Sequence, residues 1–334
     1  MKQKIVKSSM TFLKILGLLV YLFLSESDCY AQLKVKGRFL FDQNGEKVIL
    51  RGVNEMFIYS KDRTGAVTYP EIAKTGANSC RILWLIDENV PKSDLEANVK
   101  NAINNGIIPI VGLWNSTGKW DANLTSCIDW WCSNDVVSVC NNNPFMIVNI
   151  ANEAGKDAMT DYTTVYSDAV KKLRKAGITN VIMIDADRWG RNWQTLDTKA
   201  VQILEADPDR NIMFSWHIWD VNIDCTGPIN TMTDKGFCLI IGEFSYKSVG
   251  CECCINYQKI LETCQLKEIG WLPWSWGLRK NGDCKSGDMD MTTDGTFAGL
   301  KPGWATDVCI TDLNSIKNTA IRPKSILKAK NNTK

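Results

Sequence analysis

Eight short apolar runs, spread along the whole chain and separated by amphipathic stretches, constrain this sequence more than any other feature. They cover residues 47–53, 78–84, 107–114, 145–152, 180–185, 211–217, 237–243 and 270–276. Runs this short and this apolar read as strands of a parallel sheet whose faces are covered by crossover helices. Helical periodicity at 69–75, 93–105, 161–176, 195–206 and 255–268 supplies those covers. The third is the clearest. Val165, Ala169, Val170 and Leu173 share one face, Asp161 is placed to cap the start, and Gly177 to end it. Eight such strands predict an α/β fold, a (β/α)8 TIM barrel, which takes about 250 residues. Ahead of the barrel, residues 33–41 and the turn Asp42-Gln43-Asn44-Gly45 predict an N-terminal β-hairpin that plugs one end.

Residues 1–31 have the order of a secretory signal. Lys2, Lys4 and Lys7 precede an apolar stretch from Thr11 to Leu24, and a polar segment ends at Cys29-Tyr30-Ala31, with cleavage after Ala31. The rival, a membrane anchor, is opposed by Lys14 and by a length short of the ~20 residues a span needs. The expectation is a secreted monomer with no membrane attachment after cleavage. Its catalytic domain would span 32–322, followed by a basic, frayed tail at 323–334. Thirty-nine lysines and arginines nearly balance 37 acidic residues, and they are scattered, so no nucleic-acid partner is expected.

Discarding Cys29 with the signal leaves Cys80, Cys127, Cys132, Cys140, Cys225, Cys238, Cys251, Cys253, Cys254, Cys264, Cys284 and Cys309. An even count in a secreted chain reads as disulfides of undetermined pairing, with Cys80 and Cys238 alternatively buried thiols inside strands. Zinc at Cys251-Glu252-Cys253-Cys254 is disfavoured because no histidine lies near. Calcium at 281–295, with Asp283, Asp288, Asp290 and Asp294, is disfavoured because the closing glutamate of an EF-hand is absent. No metal or cofactor is therefore expected. Asn115-Ser116-Thr117, Asn123-Leu124-Thr125 and Asn331-Asn332-Thr333 match the glycosylation acceptor pattern.

The strand ends carry the chemistry. Glu153 comes directly after the run 145–152 and Glu243 closes 237–243, ninety residues apart, which places them three strands apart on one barrel rim. A carboxylate at the mouth of a buried strand is costly to desolvate, and a facing pair is the minimum equipment of a glycosidase. Beside them the same rim carries Asn54, Glu55, Arg81, Trp84, Trp114, Asn115, Asn152, Trp189, His217, Trp219, Trp274 and Trp276. Indoles stack on the C–H faces of sugars while fixed polar groups take hydroxyls, so this is sugar-site chemistry. Arg81 needs a buried anion, and Glu243 is the natural one.

Five segments, in order, resemble glycoside hydrolase family 5, most closely its bacterial-type endo-β-1,4-mannanases. They are Arg51-Gly52-Val53-Asn54, the stretch 72–81, Ile147-Val148-Asn149-Ile150-Ala151-Asn152-Glu153, Leu239-Ile240-Ile241-Gly242-Glu243-Phe244 and Gly270-Trp271-Leu272-Pro273-Trp274-Ser275-Trp276. The resemblance implies a retaining mechanism on a β-1,4-mannan polysaccharide, with Glu153 as acid/base and Glu243 as nucleophile. It further implies that Arg81 steadies the nucleophile, Asn152 holds a sugar 2-hydroxyl, His217 lines the cleaved subsite, Trp276 forms its floor and Trp189 stands at the cleft. Departures are also visible. Trp114 and Asn115 replace a histidine and an aspartate, no histidine comes soon after the first strand, and Trp219 replaces a tyrosine that hydrogen-bonds the nucleophile. These leave two alternatives: a β-1,4-glucanase of the same family, or a carbohydrate-binding protein on a decayed enzyme scaffold.

Overall fold

The computed structural model describes residues 32–87, 89–277, 284 and 289–332. The barrel is an eight-stranded parallel sheet in sequential order: β4 (Gly52–Glu55), β5 (Ser79–Trp84), β6 (Ile108–Leu113), β7 (Ile147–Asn149), β8 (Ile182–Asp185), β9 (Ile212–Ile218), β10 (Leu239–Phe244) and β11 (Gly270–Trp271). The bridge between Arg51 and Trp271 joins the last strand to the first and closes the cylinder. Every residue of β4 through β11 is buried, which is why these runs read as continuously apolar rather than alternating.

Helices α1 (Thr68–Ala73), α2 (Lys92–Asn104), α3 (Ala122–Trp131), α4 (Asn134–Asn142), α5 (Tyr162–Lys175), α6 (Trp193–Glu205), α7 (Thr226–Asp234) and α8 (Tyr257–Leu266) pack outside it. Helical periodicity does not reveal α3, α4 and α7. Their stretches are rich in Asn, Thr and Cys, and α7 carries Pro228 in its first turn, where a missing N–H costs nothing. In α5 the predicted face is buried at Ala169, Val170 and Leu173. Asp161 precedes that helix without capping it; its carboxylate instead accepts the indole N–H of Trp120 at 2.9 Å.

Ahead of the barrel the expected hairpin forms around the turn Asp42–Gly45, and a further strand extends it. The result is a three-stranded meander of β1 (Lys34–Lys36), β2 (Phe39–Phe41) and β3 (Lys47–Val48), so the run 47–53 divides between this sheet and the barrel. The backbone N–H of Val35 donates to the Asn211 side chain, just before β9, so the meander sits at the strand starts, opposite the rim. The tail differs from expectation. Lys324–Asn332 is a helix, α9, with Ile326 fully buried and Ser325 bonded to Asp42 at 2.6 Å; three apolar side chains in its first six residues give it a face to bury.

Cys251 pairs with Cys284 and Cys253 with Cys254. The other eight expected disulfide cysteines are free thiols, and the seven that are buried act as small apolar core residues. Cys80 and Cys238 are among these. Among the described residues no helix is long and apolar enough to cross a membrane. The expected signal at 1–31, Asp283, Asp288 and Thr333 lie outside the described residues.

Candidate active site

Arg81 organises the floor of the rim. It projects inward from β5, fully buried, and its fork engages five side chains from four other strand ends. Nη1 donates to Glu243 at 2.7 Å and to Asn54 at 3.3 Å. Nη2 donates to Asn152 at 2.5 Å, Asn149 at 2.8 Å and Asp185 at 3.0 Å. A planar guanidinium can satisfy that many acceptors at fixed angles, which a lysine cannot.

Glu153 lies just beyond β7 with a left-handed φ of 46°, held by its backbone N–H donating to Asp185 at 3.0 Å. Its carboxylate meets His217 Nδ1 at 2.7 Å. The same ring nitrogen lies 3.5 Å from Glu243 Oε2. Ligand atoms of Glu153, His217 and Glu243 all fall within 4.8 Å of one another, so the two glutamates share one mouth of the barrel. Gly190 and Gly242 leave room for the imidazole: a Cβ on Gly190 would stand 2.5 Å from Nδ1, and one on Gly242 2.8 Å from Nε2.

Electrostatics separate the two acids. Burial, reinforced by the charge of Asp185, pushes Glu153 up to about 8, against the opposing influence of Arg81, Arg191 and a hydrogen bond from Trp219. Burial pushes Glu243 up to about 7, with His217 and Arg81 opposing. Glu243 therefore ionises first, and Glu153 is the acid that keeps its proton. Burial also lowers the pKa of His217, which favours a neutral imidazole.

Both glutamates open into a cavity of about 390 Å³ walled by Trp114, Trp189, Trp219 and Trp274. Trp114 and Trp274 stack with centroids 5.7 Å apart at 21°. Trp189 is 38% exposed at the rim, the accessible face that a sugar needs. The expected floor, Trp276, is not in this cavity. It is fully buried and donates its indole N–H to the carbonyl of Gly295 at 2.7 Å, while Trp274, two residues earlier, takes the wall. Trp219, which stands where the family this chain resembles has a tyrosine bonded to the nucleophile, lines the cavity, and its indole lowers the pKa of Glu153 through a hydrogen bond. Asn152 is bonded to Arg81 and donates to Thr117 at 3.0 Å.

Sequence reasoning left out Asp185 and Asn149. Asp185 accepts from Arg81, from the Glu153 backbone and from Asn149. It ends the run 180–185 as Glu243 ends its own, so the criterion that found the glutamates applies to it equally. Asn115 is withdrawn from the cleft, its amide exchanging hydrogen bonds with the backbone of Ile86. Asn123 lies in the first turn of α3, bonded to Asp121.

A closed barrel presenting two buried carboxyl groups within 4.8 Å, beneath tryptophan walls, defines a glycoside hydrolase. Comparison with known proteins agrees. Residues 41–280 match the cellulase family, glycosyl hydrolase family 5. A mannan endo-1,4-beta-mannosidase of Cellvibrio japonicus is 29% identical over 86% of this chain and 67% of its own. One from Salipaludibacillus agaradhaerens is 30% identical over 78% of this chain and 85% of its own. The mannohexaose complex of Thermomonospora fusca beta-mannanase superposes with a TM-score of 0.78 at 25% identity, covering 89% of this chain and 99% of that one. The chain belongs to glycosyl hydrolase family 5.

Proposed function

We propose that the chain is a secreted endo-hydrolase of β-1,4-linked mannan polysaccharide that acts with retention of anomeric configuration. The observation that carries this reading is that Glu153 and Glu243 face each other at one mouth with an oxygen of each within 4.8 Å, which supports the short carboxyl separation of retaining enzymes, about 5 to 5.5 Å, over the wider gap that inverting enzymes keep for a water. Mannan as the backbone rests on the relatives and on the mannohexaose-bound neighbour.

Glu243, ionised against Arg81, attacks the anomeric carbon as the glycosidic C–O bond breaks, and Glu153 transfers its proton to the departing oxygen. The glycosyl ester neutralises Glu243. With that charge removed Glu153, now a carboxylate, takes a proton from water as the water oxygen attacks the anomeric carbon and expels Glu243. A β-1,4-glucan backbone is the second reading, favoured by Trp114 and by the engagement of Asn115 with Ile86, which remove polar readers from beside the breaking bond.

Reducing ends released from mannan, glucomannan and carboxymethylcellulose separate the two backbones. Proton NMR of the first product formed fixes the stereochemistry. Initial release of an α-anomer contradicts retention, and carboxymethylcellulose cleaved faster than mannan contradicts the mannan assignment.

A further inference from the structure

The catalytic carboxylates enclose the sole histidine of the chain, and this grouping has a second capacity. His217 Nδ1 stands 2.7 Å from Glu153 Oε1 and 3.5 Å from Glu243 Oε2. Donors on a tetrahedral zinc lie roughly 3.4 Å apart at bond lengths near 2.1 Å. The three donor atoms lie within 4.8 Å of one another, so shifts of about 1 Å in the two carboxylates convert this contact set into a three-donor cradle, and both carboxylates line the cavity. Glu243 is oriented for it, since Arg81 holds Oε1 and leaves Oε2 turned toward the imidazole.

Charge favours the same conclusion. Glu243 and Asp185 pair with the buried guanidinium of Arg81, and Glu153 meets the imidazole beside them, which gives a formal charge of −2 when all three acids are ionised and −1 while Glu153 holds its proton (three or two negatives, one positive). A divalent cation cancels it. One imidazole nitrogen with two carboxylate oxygens suits zinc or copper better than magnesium or calcium, which prefer all-oxygen shells.

We propose that Glu153, His217 and Glu243 form an inhibitory site for a divalent transition cation of the zinc or copper type, which binds the free enzyme in competition with polysaccharide. The bound cation occupies the lone pairs of both acids, so neither can donate a proton or attack carbon. Substrate and cation exclude one another because both need the same oxygens.

The chain has one imidazole, so a direct test is available on tag-free full-length protein. Electron paramagnetic resonance of the Cu²⁺-loaded protein is expected to show superhyperfine coupling to a single nitrogen. Equilibrium dialysis with Zn²⁺ is expected to give one site that mannohexaose displaces and that weakens at least tenfold in Glu153→Gln and His217→Asn. Zinc is expected to slow hydrolysis competitively, with EDTA restoring it. A copper spectrum without nitrogen coupling, zinc affinity unchanged in Glu153→Gln, or inhibition that rising polysaccharide does not relieve overturns the proposal. The copper spectrum and the zinc affinities of the variants read binding alone and stand whichever polysaccharide is cleaved, whereas displacement by mannohexaose rests on the mannan reading. Should His217→Asn fail to fold, the wild-type spectrum and Glu153→Gln still decide the matter.

Discussion

Arg81 and Glu243 form an ion pair 2.7 Å long, in which the guanidinium is fully buried and the carboxylate 3% exposed. Solvent does not screen such a pair, so its loss is costly. Arg81→Ala leaves Glu243 and Asp185 without their cation and is expected to destabilise the fold by about 3–5 kcal/mol. Arg81→Lys restores charge without the fork. It is expected to recover part of that stability in urea unfolding while hydrolysis stays at least tenfold below wild type. A lysine variant with full activity contradicts the role given to the fork.

Glu153→Gln and Glu243→Gln keep side-chain volume and remove the reacting oxygen. Each is expected to lower kcat by roughly 10²–10⁴ or more. Circular dichroism and oligosaccharide affinity, the latter by calorimetry, are expected to change little. Turnover within a few-fold of wild type in either variant removes that glutamate from the mechanism.

The unequal acids set the pH–rate profile. Activity needs Glu243 ionised and Glu153 protonated, so kcat/KM is expected to be bell-shaped, with limbs near 7 and 8 belonging to the coupled pair. Asp185 raises both pKa values, so Asp185→Asn is expected to move both limbs toward acid. Stability carries the same signature. Both glutamates bind protons more tightly folded than unfolded, where a glutamate titrates at about 4.3. The stability gained from those protons is complete at low pH and is lost as pH rises from there through the folded values of about 7 and 8. Glu153→Gln is expected to flatten this decline in melting temperature between pH 5 and 9.

The two tryptophans just beyond the last strand are expected to behave oppositely. Trp274→Ala removes a cavity wall and the partner of Trp114, so kcat/KM is expected to fall at least about tenfold, equivalent to ~1.4 kcal/mol of lost binding. Trp276→Phe strands the carbonyl of Gly295 and is expected to cost about 1–3 kcal/mol in denaturant unfolding, with KM nearly unchanged. The reverse pattern restores Trp276 to the cleft.

Gly190 has a left-handed φ of 72° and faces the imidazole. Gly190→Ala introduces strain on the order of 1–3 kcal/mol and pushes the ring from its place. Activity is expected to fall further than stability accounts for, compared by kcat at a temperature where the variant is fully folded.

The alternation of apolar strands and amphipathic helices, the strand-end positions of Glu153 and Glu243, and the indole-rich rim were legible in the chain itself. Each depends on residues close in sequence: the period, the run length and the residue next after the last buried position. Arg81 was legible for a related reason, since a cation within a buried strand implies an anion nearby. Tertiary structure alone decided the rest. Whether Trp274 or Trp276 faces the cavity depends on how the chain leaves its two-residue strand and passes Asn54 and Met289. That Cys251 pairs with Cys284 depends on two segments, one after each of the neighbouring strands β10 and β11, meeting in space. The pKa values of the glutamates depend on Asp185, Arg81 and His217, brought from three other strands into one buried space. Desolvation and Coulomb interactions act through distance in space, and sequence separation carries no record of that distance until the barrel closes.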